Sequence, residues 1–236
     1  LDPLQNYLCD AFNKENLRDQ FDDLKAELYI PAYDLDRGER VIFGSEGHRD
    51  CHICQAITAS CAIPYFFRPY QIDDSYYIDG SIGKVLHLDV AIENGAELII
   101  VINPRVPIDN DPEYACLPDL SYGKCSRVSD LGLNFSWEQS RRIEAKENIE
   151  SAVENYRYKY PKVEIVLIEP GRDESLLFFQ NPMSMVARNH IMAYGYTTTL
   201  QQLKNRFTEL EPIFRKKGIR ISDDELDCPP PVEIQD

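Results

Sequence analysis

Apolar residues recur at helical spacing over the first 24 positions. Leu4, Leu8 and Phe12 fall at i, i+4 and i+8, and Leu17, Phe21 and Leu24 carry the pattern on. The spacing predicts a helical segment over 1–24. The period then shortens: Glu27–Asp34 reads as a β-run, Asp36-Arg37-Gly38 as a turn, and Arg40–Phe43 as a second run, together a hairpin. Helical spacing returns at Ile53, Ile57 and Cys61 and stops before Pro64, because the residue preceding a proline is pushed out of the helical region. Ser75–Ile78 predicts a short strand running into Asp79-Gly80.

The second half alternates longer elements. His87–Asn94 predicts a short helix closed by Gly95. Glu97–Asn103 and Lys162–Ile168 are continuous apolar runs, the mark of strands buried on both faces of a parallel sheet. Between them, 106–125 is polar and rich in Pro, Asp and Gly, and reads as a loop or insertion. A long helix is expected over Asn134–Tyr160, with Ala145, Ile149, Ala152, Tyr156 and Tyr160 as its apolar stripe and Glu138–Arg142 as an i,i+4 pair. Another helix runs from Met183 to about Phe214, with a break expected near Gly195. Strands alternating with helices make an α/β chain, with no internal repeat and no clear boundary splitting its body.

Composition narrows the function classes. Across 236 residues, 25 Lys+Arg face 40 Asp+Glu, a formal charge of −15. Such a balance disfavours nucleic acid, whose phosphates call for clustered Lys and Arg. An apolar fraction of 43% with 28% charged residues is that of a globular protein. No apolar run approaches the roughly 18 residues of a membrane span, and Leu1–Asp10 lacks the pattern of a signal peptide. A start at Leu1 without Met suggests a piece of a longer protein. Seven cysteines, an odd and irregular set, favour free thiols in a reducing compartment over a disulfide framework. Residues 222–236 hold six acids and Pro229-Pro230-Pro231, too little apolar surface to order themselves.

Two local features suggest chemistry. Asp79 ends a strand and is followed at once by Gly80, so its carboxylate can face a cleft as a general base; an ordinary Asp-Gly turn fits the dipeptide as well. Cys51-His52-Ile53-Cys54, with His48 upstream, suggests zinc, but a second ligand pair at matching spacing is missing, so core or loop thiols are expected and no metal. His87 is expected to help cap a helix, and His190 to be packed or exposed. The aromatics Tyr65, Phe66, Phe67 and Tyr70 read as core, with an acyl-chain pocket as the other reading.

Ala59-Ser60-Cys61-Ala62-Ile63-Pro64-Tyr65-Phe66-Phe67-Arg68-Pro69, followed by Tyr77-Ile78-Asp79-Gly80-Ser81, resembles the patatin-like phospholipase family. The likeness continues through Asp89-Val90-Ala91-Ile92 with Gly95-Ala96, then Val101-Ile102-Asn103-Pro104, Ile165–Pro170 and Gly195-Tyr196. It covers roughly residues 24–205. The resemblance implies a three-layer α/β/α domain with a mainly parallel central sheet. Residues 1–23 would be an N-terminal helical segment, 24–220 the C-terminal portion of the hydrolase domain, and 221–236 an acidic, Pro-containing tail. It further implies a lipid acyl hydrolase with a Ser-Asp dyad, Asp79 being the base and Gly80 and Ser81 its turn. The nucleophilic Ser would sit in a Gly-x-Ser-x-Gly elbow, which this chain lacks. Phe43-Gly44-Ser45-Glu46-Gly47 and Asp79-Gly80-Ser81-Ile82-Gly83 both miss the first Gly and read as turns.

The expected serine therefore lies in an N-terminal segment of the same protein, upstream of Leu1. Expected partners are that segment and a phospholipid or other lipid ester, with peripheral membrane contact, no cofactor and a cytoplasmic location. A non-catalytic lipid-binding or interaction module of the same fold is the rival reading.

Overall fold

The computed structural model describes residues 1–110, 127–172, 185–224 and 226. The described chain forms two compact units, Leu1–Val90 and Ala91–Asp236.

In the first unit, helix α1 (Asp2–Lys14) stops ten residues before the apolar spacing does. Asn16 takes a left-handed φ of 53°, the Leu17 amide donates back to the Phe12 carbonyl (2.8 Å), and the Asn16 amide donates to Asn13 (3.2 Å). This double return bond is a helix-ending motif that Asn tolerates almost as Gly does. Phe21, expected on the same helix, instead sits in a 3-10 turn (Phe21–Asp23) and is buried.

Strands β1 (Ile30–Asp34) and β2 (Glu39–Phe43) form the expected hairpin, with Gly38 at φ 66°. The buried Asp34 carboxylate secures the turn by accepting from the Asp36 and Arg37 amides (3.1 and 3.0 Å). Strands β3 (Tyr70–Ile72) and β4 (Ser75–Asp79) complete a four-stranded sheet in the order β2-β1-β4-β3. Every pairing in it is antiparallel, against the mainly parallel sheet expected. The physical reason is the connections: tight turns such as 35–38 and 73–74 can only reverse a strand, whereas parallel neighbours require a long crossover.

Helix α2 (Ile53–Ser60) packs on this sheet. Its buried face is Ile53, Ala56 and Ala59, while Ile57 and Cys61 are only half-buried. Ala56 and Ala59 share one buried cluster with Ala32 and Tyr77 of the sheet. These residues join Phe21, Ile30, Phe43, Tyr70 and Ile72 in one core.

The second unit keeps the parallel pairing that its sequence predicts. After the short helix α3 (Leu88–Glu93), where the two units divide, β5 (Leu98–Ile102) pairs in parallel with β6 (Glu164–Ile168). Burial on both faces does not follow: Ile102 is 73% exposed and Ile100 48%. Helix α4 (Leu133–Lys159) buries Ile149 of the expected stripe completely, leaves Ala145, Ala152, Tyr156 and Tyr160 half-buried, and buries Val153, which that stripe does not include. The Glu138–Arg142 pair forms at 2.8 Å, but Arg142 is buried and also donates to the Val106 carbonyl (3.1 Å), so it belongs to the interior. Helices α5 (Met185–Asn205) and α6 (Phe207–Lys216) divide at Arg206, while Gly195 lies within an unbroken helix. Most of the expected loop 106–125 and of the acidic tail lies outside the described residues, as do Met183 and Ser184.

Candidate active site

Pro31 shapes the site from a neighbouring strand. Pairing of β1 with β4 ends at Ala32↔Asp79. The next pair would join Pro31 to Gly80, and Pro31 has no N–H to offer. The chain therefore leaves the sheet at Gly80, with Asp79 as the last paired residue. A Cβ on Gly80 would lie 2.3 Å from the Pro31 carbonyl oxygen. Glycine is required here for close approach rather than for a left-handed φ.

Three contacts fix Asp79. Its amide donates to the Ala62 carbonyl (3.1 Å), its Oδ1 accepts from the Ser81 amide (2.7 Å), and its carbonyl accepts from Ile82 (3.4 Å). The first of these brings the Ala59–Pro64 segment, at the end of α2, onto the strand end. The two pieces of the sequence motif are thus neighbours in space. Burial, reinforced by the Asp79 charge, pushes the Cys61 thiol up, which keeps it protonated and a poor nucleophile.

Behind the turn stands a chain of polar contacts that the sequence did not reveal. His87 Nε2 lies 3.1 Å from the Gly80 carbonyl, and its Nδ1 lies 3.1 Å from Arg40 Nη1. An arginine can only donate, so Nδ1 accepts and Nε2–H donates to Gly80, which fixes the neutral tautomer. Burial drives the His87 pKa down, against the opposing bond to Gly80, in accord with that form. Arg40 in turn makes a bidentate pair with Asp89 (3.1 and 2.7 Å), which also accepts from Lys84 (2.7 Å). Burial alone would raise the Asp89 carboxyl, but the bonds from Arg40 and Lys84 outweigh it and hold the pKa well below the usual carboxylate range. His87 stands just before α3, where its carbonyl accepts from the Val90 amide (3.1 Å) as expected of a capping position, and its ring braces the turn. Its spacing to Asp89 was visible in the sequence, whereas Arg40, 47 residues away, was not.

The remaining candidates separate from this site. Gly44–Gly47 is a turn, as expected: the Gly44 amide donates to the His48 carbonyl (2.8 Å), and the Ser45 hydroxyl is taken up by the Ile42 carbonyl (2.7 Å). Ser81 is exposed, and His190 is exposed on α5. The aromatic group divides: Tyr70 is core, whereas Tyr65 is 94% exposed with φ 73° and Phe66 is 58% exposed. Residues 51–54 divide too. Cys54 is bonded to Cys9 of α1, which corrects the free-thiol expectation for that pair. Cys51 packs separately against the core, its thiol pushed up to about 11 mainly by burial.

Residues 1–92 match the patatin-like phospholipase family model. The patatin-like match ends close to the boundary of the first compact unit and contains Asp79, Gly80 and Ser81 together with Arg40, His87 and Asp89. It also takes in the N-terminal helical segment. No curated protein matches the chain. No described helix is long and apolar enough to cross a membrane.

Proposed function

We propose that this chain is part of a lipid acyl hydrolase in which Asp79 is the general base of a Ser-Asp dyad. The observation that carries the reading is the set of contacts on Asp79, lying within the patatin-like match. Oδ1 is occupied by the Ser81 amide and the backbone is pinned to Ala62, so Oδ2 is the oxygen left to take a proton. A serine hydroxyl presented to Oδ2 would attack the ester carbonyl carbon as its proton passes to Asp79. Backbone N–H groups would hold the oxyanion. Collapse then expels the lipid alcohol, which recovers the proton, and water hydrolyses the acyl-serine by the same route.

The serine would come from a segment upstream of this chain, and no metal or organic cofactor enters the scheme. Fold and location follow the same reading: a three-layer domain whose parallel strands include β5 and β6, in a cytoplasmic protein touching membranes peripherally. The test is fluorophosphonate labelling and phospholipid ester hydrolysis by the longer protein. Asp79→Asn should lower both by about 10²–10⁴-fold, while circular dichroism stays unchanged. Equal labelling of both proteins would refute Asp79 as the base.

A second reading, a non-catalytic lipid-binding module, is favoured by the exposed Tyr65 and Phe66 beside the Ala59–Pro64 segment. It predicts vesicle binding that Tyr65→Ser and Phe66→Ser weaken, with no serine labelled in the longer protein.

A further inference from the structure

The start of α2 gathers ligand atoms that ester hydrolysis does not use. Sγ of Cys9, Sγ of Cys54 and a carboxylate oxygen of Asp19 all lie within 4.8 Å of one another. They come from three parts of the chain: α1, the segment that follows it, and the first turn of α2. The Asp19 carboxylate is held in place for this role. Its Oδ1 accepts from the Cys54 amide (2.9 Å), which turns Oδ2 toward Cys54 Sγ (3.3 Å). His52 Nδ1 lies 3.1 Å from the same Oδ2, and with its proton on Nδ1 it donates there, the outer partner that metal-bound carboxylates usually carry. The Asp19 carbonyl also accepts from the Ile53 amide (3.0 Å), tying its backbone to the helix.

We propose that, with the Cys9–Cys54 bond reduced, Cys9, Cys54 and Asp19 bind one Zn²⁺, with water in the fourth position. Zinc suits the set because two soft thiolates and a carboxylate offer a tetrahedral ion three anionic ligands. With Zn–S near 2.3 Å and Zn–O near 2.0 Å, ligand atoms stand about 3.5–3.8 Å apart. The Asp19–Cys54 spacing is already close to that, and Cys9 Sγ has only to part from Cys54. The positive end of α2 favours a thiolate at Cys54, in its first turn. A dithiol reductant supplies two electrons and two protons to the Cys9–Cys54 bond and closes into its own disulfide. Zinc then displaces the two thiol protons. The bonded and metal-loaded forms are thus alternatives on the same two sulfurs.

The full chain, reduced with a dithiol and desalted without air, is titrated with Zn²⁺ against a chromophoric chelator, and with Co²⁺ for thiolate-to-metal absorption. The expected result is one equivalent bound, with the thiolate band, and no such site in the oxidised protein. Affinity should fall about 100-fold in Cys9→Ser and at least about 10-fold in Asp19→Asn, and stay unchanged in Cys51→Ser and Cys61→Ser. Circular dichroism checks each fold; Asp19→Asn retains both thiols and decides the matter should Cys9→Ser fail to fold. Absence of a stoichiometric site in the reduced chain, binding that survives both Cys9→Ser and Asp19→Asn, or loss in Cys51→Ser would overturn the proposal.

Discussion

The two units hold their strand ends in different ways. In Leu1–Val90 the end of β4 is set mainly by the backbone: the Asp79 amide on the Ala62 carbonyl, the Ile82 amide on the Asp79 carbonyl, and Gly80 packed against the Pro31 carbonyl. In Ala91–Asp236 the ends of β5 and β6 are stitched by side chains. Asn103 and Lys146 converge on Glu169 (2.7 and 2.5 Å), Arg206 donates to the Leu167 carbonyl (2.7 Å), and Lys216 reaches Glu164 (3.0 Å). Backbone contacts leave little slack and specify position closely. Ion pairs hold more loosely and answer to salt. The first unit departs from its own pattern at Arg40, Asp89 and Lys84, and there the charges serve to brace the turn after Asp79.

The comparison is broken most sharply at glycine. Gly44 sits at φ 94°, and a Cβ there would lie 2.0 Å from the Leu28 carbonyl oxygen, whereas Gly38 at φ 66° has no described atom within 4 Å of that position. Gly44→Ala should cost about 3 kcal/mol or more, from strain and clash together, and Gly38→Ala about 1 kcal/mol. Urea unfolding followed by circular dichroism separates the two, and equal costs would show that backbone closeness does not govern the first unit. In the second unit the largest effect belongs to packing. Ile149→Ala removes a completely buried side chain and should cost about 3 kcal/mol, read as a shift of the unfolding midpoint.

Acid sharpens the contrast. The Asp89 carboxyl is held below its ordinary range when folded, so the unfolded chain takes up that proton first. Its contribution is complete above a pH of about 4 and declines as pH falls toward the lower folded value. His87 has the same sign, because its pKa is also lowered on folding; its share begins to decline below a pH of about 6.5. Asp89→Asn should therefore flatten the acid limb of stability against pH, and an unchanged limb would remove Asp89 from the brace. Smallest of all, Lys216→Ala breaks an exposed pair with Glu164 and should alter stability by no more than about 0.5 kcal/mol, a difference that added salt shrinks further.

Much of the second unit was legible in the sequence because α4 is long and β5 and β6 are unbroken apolar runs. The stripe through Ile149 and Tyr156 repeats over several turns of α4, and the apolar composition of β5 and β6 announces their type. The first unit was legible in its motifs rather than its packing. Ala59–Pro64 and Asp79-Gly80 were visible as a pair, and the structure joins them through Ala62. Three features were hidden. The end of α1 depends on Asn16 adopting a left-handed turn, while the apolar spacing runs on through Leu17 and Phe21. The buried face of α2 joins Ile53 to Ala56 and Ala59, small positions that a reading ranked by size passes over in favour of Ile57. The Arg40–His87 contact and the Cys9–Cys54 bond link residues far apart in the chain, where no local period can register.

The pairing of Ala32 with Asp79 has a consequence for how this part of the chain can change over generations. Along a strand successive side chains point to opposite faces, so one residue inserted between Ser75 and Asp79 would keep every amino acid and turn the aspartate to the other side. Point replacements at Tyr76 or Ile78 leave that count intact. In this stretch spelling is freer than length, and lineages carrying the site should differ here by letters and almost not at all by gaps.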